Sequence, residues 1–237
     1  MKLYPLAPTS RTAINMFGIS RRLKLGVATT KPDALEGLVI VSDGTPDDVV
    51  VSVISYHVNG KTTVGVVKPL ETRGLGAIQL IPTYLRPGIR KIMLLTDQDE
   101  KTLEAMREEA LQRLGTVGAQ VVREVDEGRL KVWECVHGAR GFQFIVAISG
   151  IDEFGTAKHS IEDHLLKAAM TFNVGGIQWC LDVRGDSKEE WMSIAPHHLE
   201  VFGLLRGSYK SVCEVFPQQV KGLKCVSGED NPRDDVS

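Results

Sequence analysis

A chain of 237 residues with 43% hydrophobic and 24% charged residues has a globular balance, long enough for one large domain with an appendage. Its formal net charge of -2 excludes coating of nucleic acid by bulk attraction but leaves room for a local basic groove. No apolar run approaches the roughly 20 residues that a membrane-spanning helix needs, and the mixed-polarity start lacks a secretory pattern, so a soluble cytoplasmic protein is expected.

Residues 1–35 read as a lead-in segment with basic clusters at Arg21-Arg22 and Lys24, able to supply an added strand. Leu38-Val39-Ile40-Val41 is a continuous apolar run between turn signals, the pattern of a buried central strand. The segment DDVVVSVISYHV places Val50, Val51, Ile54 and Val58 at helical spacing. Asp47 and Asp48 at its start favour a helix, although its β-branched residues leave a strand open. Thr63 to Val67 is a second strand, and Gly74 and Gly76 lead into a short helix-like stretch ended by Pro87-Gly88. Lys91 to Thr96 is the clearest strand and runs into Asp97-Gln98-Asp99-Glu100. The clearest helix follows, with Leu103, Met106, Ala110, Leu111 and Leu114 on one face and Gly115 at its stop. Leu130 to Val136 and Phe142 to Ser149 read as strands joined by a turn. Ser160 caps a further helix, with Asp163 in the place of a capping-box acid. A helical extension is expected over 171–225, with helices at Ser187 to Met192 and Pro196 to Leu205, and a flexible tail over 226–237.

The alternation of strand and helix over 36–170 predicts an α/β fold: a largely parallel sheet with helices on both faces, plus a mixed C-terminal extension. In such sheets functional groups gather at the carboxyl ends of the strands, where Asp43, Asp97 and Asp99 fall. Unpaired carboxylates brought together repel one another, and a bound cation removes that penalty. Oxygen ligands without a nearby Cys or His select Mg2+ or Mn2+ over zinc. The competing reading is that Asp43-Gly44 is a turn and Asp97 to Glu100 a helix cap.

The order of these pieces resembles a Toprim domain, the metal-binding catalytic fold of topoisomerases, primases and overcoming-lysogenisation-defect nucleases. The likeness rests on Val41-Ser42-Asp43-Gly44-Thr45-Pro46-Asp47-Asp48 and on Leu94-Leu95-Thr96-Asp97-Gln98-Asp99-Glu100. It extends to Gly155 to Leu166, which is similar to the Gly-x-(I/L)-E-D-x-L-L segment of small stand-alone Toprim-like proteins related to those nucleases. The resemblance implies a metal-dependent, nuclease-like phosphodiesterase acting on DNA or RNA. Asp43 would stand where the family has a catalytic glutamate, and Asp97 and Asp99 would hold the metal. Glu162 and Asp163 would add a ligand or a second metal site. Asp43 is one methylene shorter than glutamate, which leaves two further readings open: Asp47 as the substitute acid, or a catalytically weak module that binds nucleic acid, nucleotide or a partner protein. A receiver-like domain phosphorylated on Asp97 is a third class, disfavoured by the late position of Asp97 and the lack of a following lysine.

Substrate phosphates need cationic guides, and Lys68, Arg73 and Arg90 are the candidates, with Arg86 and Lys91 beside them. The glycines of Arg73-Gly74-Leu75-Gly76 would let a backbone approach a phosphate. His159 and His164 flank Glu162-Asp163 but are spaced poorly for one helix face, which favours surface or capping roles. Trp179, Trp191 and Phe172 serve either base stacking or the core. The cysteines Cys135, Cys180, Cys213 and Cys225 form no C-x-x-C pair and read as reduced buried thiols. The extension beyond Thr171 either adds helices to the sheet or forms a dimer surface, so a homo-oligomer stays open.

Overall fold

The computed structural model describes residues 1–43, 46–58, 61–85, 89–176 and 186–229. In chain order these form β1 (Lys2–Pro5), α1 (Arg11–Leu23), β2 (Gly37–Val41), α2 (Asp47–His57) and β3 (Thr63–Val67). A 3-10 helix (Gly74–Leu80) runs into the short α3 (Ile81–Tyr84), followed by β4 (Lys91–Asp97), α4 (Leu103–Thr116), β5 (Ala119–Glu127), β6 (Leu130–His137) and β7 (Arg140–Ser149). The remainder is helical: α5 (Ile161–Thr171), α6 (Ser187–Ser193), α7 (His198–Gly207), α8 (Tyr209–Val215) and α9 (Pro217–Ser227).

The strands make one mixed sheet of seven in the order β1-β3-β2-β4-β7-β6-β5. The five from β1 to β7 are parallel, and β6 and β5 continue the sheet as an antiparallel wing. Because strand side chains alternate, the apolar run of β2 feeds two cores. Val39 and Val41, with Met93, Leu95, Ile145 and Ala147, face α1, α2, α5 and α7 to α9. Leu38 and Ile40, with Ile92, Leu94, Phe144 and Val146, face the 3-10 helix, α3 and α4. Helices therefore cover both faces of an α/β sheet, and α9 lies across β7 and β4.

Four elements go beyond the sequence reading. The lead-in segment holds a 13-residue helix, α1, capped by Ser10, as well as the edge strand β1. Strand β5 is exposed on both faces for most of its length, so it carries no apolar alternation to reveal it. In the C-terminal region α8 and α9 join the expected helices, and α9 runs through Ser227 with Val226 buried, past the expected start of the tail. Between Asp47 and Val58, where strand and helix competed, the chain is helical, and Val50, Val51, Ile54 and Val58 are all buried.

Candidate functional site

Strands β2 and β4 are parallel neighbours, in register through Val41 opposite Leu95. Two residues further on, each delivers an aspartate to the same place, and the Asp97 backbone N–H donates to Asp43 Oδ2 at 3.1 Å. Asp43 is surrounded by donors. Its Oδ1 accepts from the Gly74 N–H at 3.2 Å, and its Oδ2 lies 3.1 Å from the Thr96 hydroxyl and 2.8 Å from the Ser42 hydroxyl. Gly74 sits at φ 52, a left-handed conformation that glycine adopts freely, and this aims its N–H at the carboxylate. The glycine expected to approach a phosphate is thus occupied in fixing Asp43.

Asp97 accepts from the Ile161 N–H at 2.9 Å, at the first turn of α5. Asp99 has a left-handed backbone, φ 54, and is held by a two-way backbone pair with His159, at 2.9 and 3.0 Å. That pair draws the loop before α5 against the exit of β4 and brings Glu162 to the site, where the Ser160 hydroxyl donates to it at 2.8 Å. Asp43, Asp97, Asp99 and Glu162 together line one cleft of about 540 Å3 at the carboxyl ends of the strands.

The acids hold one another in check. Burial, followed by the charges of Asp47, Asp43 and Glu162, raises the Asp97 pKa well above the usual carboxylate range, while the Ile161 N–H acts in the opposite direction. Asp99 is raised by burial and then by Asp43, and Glu162 by burial against the pull of the Ser160 hydroxyl and Lys188. Asp47, 1% exposed at the start of α2, enters the cluster through its charge on Asp97. Cations rim the acids. Arg73 and Lys188 line the cleft without an ion pair to any described residue, whereas Lys101 and Arg113 both bind Glu109, at 2.6 and 2.8 Å. Lys158 stands 3.4 Å from Glu100.

Several expected site residues lie elsewhere. Asp163 is fully buried and turned away from the cleft: its Oδ2 accepts from the Ile151 N–H at 3.0 Å and pairs with His159 Nδ1 at 2.9 Å. It cannot join Glu162 because neighbours on a helix point about 100° apart. Arg90 precedes β4 and sits at the opposite, amino end of the sheet beside Glu134 and Phe142, and Lys91 there donates to the Cys225 carbonyl at 2.7 Å. Neither can guide a substrate into the cleft. Lys68 lines an adjoining recess that shares Asp43 and Arg73 with the cleft.

His164 is a core residue, contrary to the surface or capping role expected of it. Its Nδ1 lies 2.5 Å from the Val215 carbonyl, its Nε2 accepts from the Gly150 N–H at 3.1 Å, and burial pushes its pKa down to about 3. Trp191 stacks on His198 at 3.8 Å within the core. Cys135 and Cys225 are buried and Cys213 is half-buried. Arg86, Trp179 and Cys180 fall outside the described residues. Thr96, Lys158 and Lys188 were not singled out from the sequence, and only the position of Thr96 directly before the D-x-D pair signals its part.

Among the described residues no three His, Cys, Asp or Glu side chains are arranged to hold one metal ion in common. The donors in the cleft are carboxylate oxygens, the ligand type that hard cations take. Mg2+ commonly takes only one or two protein carboxylates, keeps several waters and completes its shell with substrate phosphates. Comparison of the chain with known families, curated proteins and solved structures gives no match, so the site is read from its own geometry.

Proposed function

We propose that the chain is a Toprim-like, divalent-metal-dependent phosphoryl-transfer protein acting on DNA or RNA, a nuclease-like phosphodiesterase. The observation that carries this reading is the convergence of Asp43, Asp97, Asp99 and Glu162 from three separate segments on one cleft, with the last three held above their usual pKa. Mutually repelling acids at a functional sheet edge are the arrangement that a bound cation relieves. One or two of Asp97, Asp99 and Glu162 would hold Mg2+ or Mn2+, with water and substrate phosphate completing its shell. The ion, when bound, would supply stabilisation of charge on a phosphoryl oxygen. Arg73 on the cleft wall, without an acidic partner among the described residues, would take a backbone phosphate. Asp47, buried and outside the cleft lining, would act through its charge on Asp97 rather than as the substitute acid.

Calorimetric titration of Mn2+ and Mg2+ into the parent and into Asp97→Ala/Asp99→Ala tests the reading. Saturable binding in the parent, weakened about tenfold or more in the variant, is the expected result. Equal heats in both proteins would remove the metal from the proposal. Cleavage of labelled DNA and RNA by the metal-loaded parent then tests the activity.

A second reading, a catalytically weak binding module, is favoured by the Asp43 environment. A carboxylate whose two oxygens are taken up by four neighbouring donors is fixed in place and has little freedom to reach a substrate. Asp43→Glu separates the two. A weakened enzyme gains cleavage, by about tenfold or more if the extra methylene restores reach, while a binding module gains none.

A further inference from the structure

The cleft takes Glu162 and leaves its neighbour Asp163, whose surroundings call for an account of their own. Asp163 stands three residues after the cap Ser160, where an acid ordinarily reaches back to the amide of the cap residue. Its Oδ2 is engaged instead with the Ile151 N–H, just past the end of β7, and with His159 Nδ1. Its Oδ1 is buried without a hydrogen-bond partner among the described residues, in a side chain with no solvent exposure. A buried carboxyl oxygen left unsatisfied costs stability, so an apolar side chain would serve packing alone better. What Asp163 contributes is therefore what its other oxygen holds.

That oxygen holds the segment 159–162. His159 sits between Lys158 and Ser160, which line the cleft, but its ring is turned to Asp163, with the Thr156 hydroxyl 3.4 Å from the same nitrogen. Its backbone makes the two-way pair with Asp99, and two residues on the Ile161 N–H donates to Asp97. Glu162 follows on the same segment. Asp97, Asp99 and Glu162 are thus placed by one short run of chain that Asp163 fastens to the end of β7. Gly150 makes the fastening possible. A Cβ there would meet His159 Cβ at 2.5 Å and Arg129 Nη1 at 2.8 Å, so a larger residue would push His159 away. Asp99 needs the anchor most, because a left-handed aspartate is costly and persists only where its surroundings over-determine it.

We propose that Asp163 is the positioning residue of the acidic cleft, acting through His159 to hold Asp97, Asp99 and Glu162 in one arrangement. From its buried place it reaches neither metal nor substrate. Its bond fixes His159, and His159 fixes the Asp99 backbone. The run from His159 to Glu162 then carries the Ile161 amide to Asp97 and the Glu162 carboxyl to the cleft. That a metal ion profits from this arrangement rests on the function proposed above; the positioning itself does not. Partners of this kind, one step removed from the ligands, commonly change metal affinity by about 10–100-fold when they are lost.

Amide hydrogen exchange of the metal-free protein, followed by Mn2+ titration, is the test, with His159→Phe, His159→Asn and Asp163→Asn as variants. Phenylalanine keeps a ring and loses the Nδ1 donor, whereas asparagine offers a side-chain N–H close to where Nδ1 stood. In His159→Phe the amides of Asp99, Ile161 and residue 159 are expected to exchange about tenfold faster or more, while those of Met93 and Leu94 in β4 keep the parent rate. His159→Asn is expected to stay within about threefold of the parent at the same amides. Asp163→Asn, whose amide oxygen accepts more weakly than a carboxylate's, should fall between the two and supplies the measurement if the phenylalanine variant folds poorly. Mn2+ affinity is expected to follow the same order, with a loss of about tenfold in His159→Phe. Parent-like exchange at the three amides in His159→Phe, equal acceleration of the β4 amides, or loosened amides with unchanged Mn2+ affinity overturns the positioning role. The expected exchange pattern in a parent that takes up no Mn2+ keeps Asp163 as the positioning residue and discards the metal-dependent reading.

Discussion

Asp97 has to carry a negative charge where burial and three neighbouring acids resist it. In the unfolded chain its carboxyl releases its proton near the ordinary value, whereas in the folded protein it keeps it to higher pH. Between those two values the folded state binds more protons, so this group makes stability fall as pH rises, down to a plateau above the folded pKa. Asp97→Asn keeps an oxygen for the Ile161 N–H and removes the charge. The variant is expected to melt above the parent at pH 8, by about 2–4 °C for each kcal/mol of repulsion relieved, with the gap closing toward pH 4. Thermal scans across that range, with and without Mg2+, check it. Added cation should raise the parent's Tm and leave the variant's nearly unmoved. Equal melting at pH 8 would show that the cluster carries no net repulsion. Asp43, Asp97 and Asp99 were legible in the sequence because each follows an apolar run that could only be a buried strand. The Glu162-Asp163 pair was legible in part, since identical chemistry at adjacent helix positions hides that one side chain faces the cleft and the other the core. Arg90 misled because a cation beside a strand carries no mark of the end it occupies.

Among the elements, the strongly periodic ones were legible and the others were not. β2, β4 and α4 announce themselves by apolar runs or a helical stripe. β5 does not, because it hangs on β6 by backbone hydrogen bonds with most of its side chains in solvent. The C-terminal helices were obscured by their shortness, since α8 has only 7 residues and a pattern needs two turns to show its period. Their packing is nonetheless close. A Cβ built on Gly37, the first residue of β2, would collide with Val226 Cγ1 of α9 and meet the Lys91 and Val226 carbonyl oxygens at 3.3 Å. Gly37→Ala is therefore expected to cost about 1–3 kcal/mol, because the stiff valine and two backbone groups cannot yield cheaply. Gly222→Ala is the contrasting case. Its Cβ would meet the flexible end of Met93 at 2.9 Å, and the helix gains from alanine, so its loss should be the smaller. Denaturant melts of both variants measure the difference, and a Gly37→Ala protein as stable as the parent would mean that α9 sits on the sheet with slack.

For the molecule as a whole, the sheet order sets the chemistry and the last helix sets the conditions for having a sheet at all. β2 and β4 occupy the centre, which puts the acidic cleft at the middle of the carboxyl edge and the antiparallel wing well to one side. The face of that centre carrying Met93 and Ile145 is closed by α9, whose residues Leu223 and Val226 are buried against it. That face is complete only once Ile145 of β7 has been made, and about 80 residues separate Ile145 from Val226. At a synthesis rate of about 5–20 residues per second, the nascent chain leaves that face bare for roughly 4–16 s. During this interval the central strands have their partners but not their cover. A nascent chain halted short of Pro217 would expose this apolar sheet face, a ready target for holding chaperones.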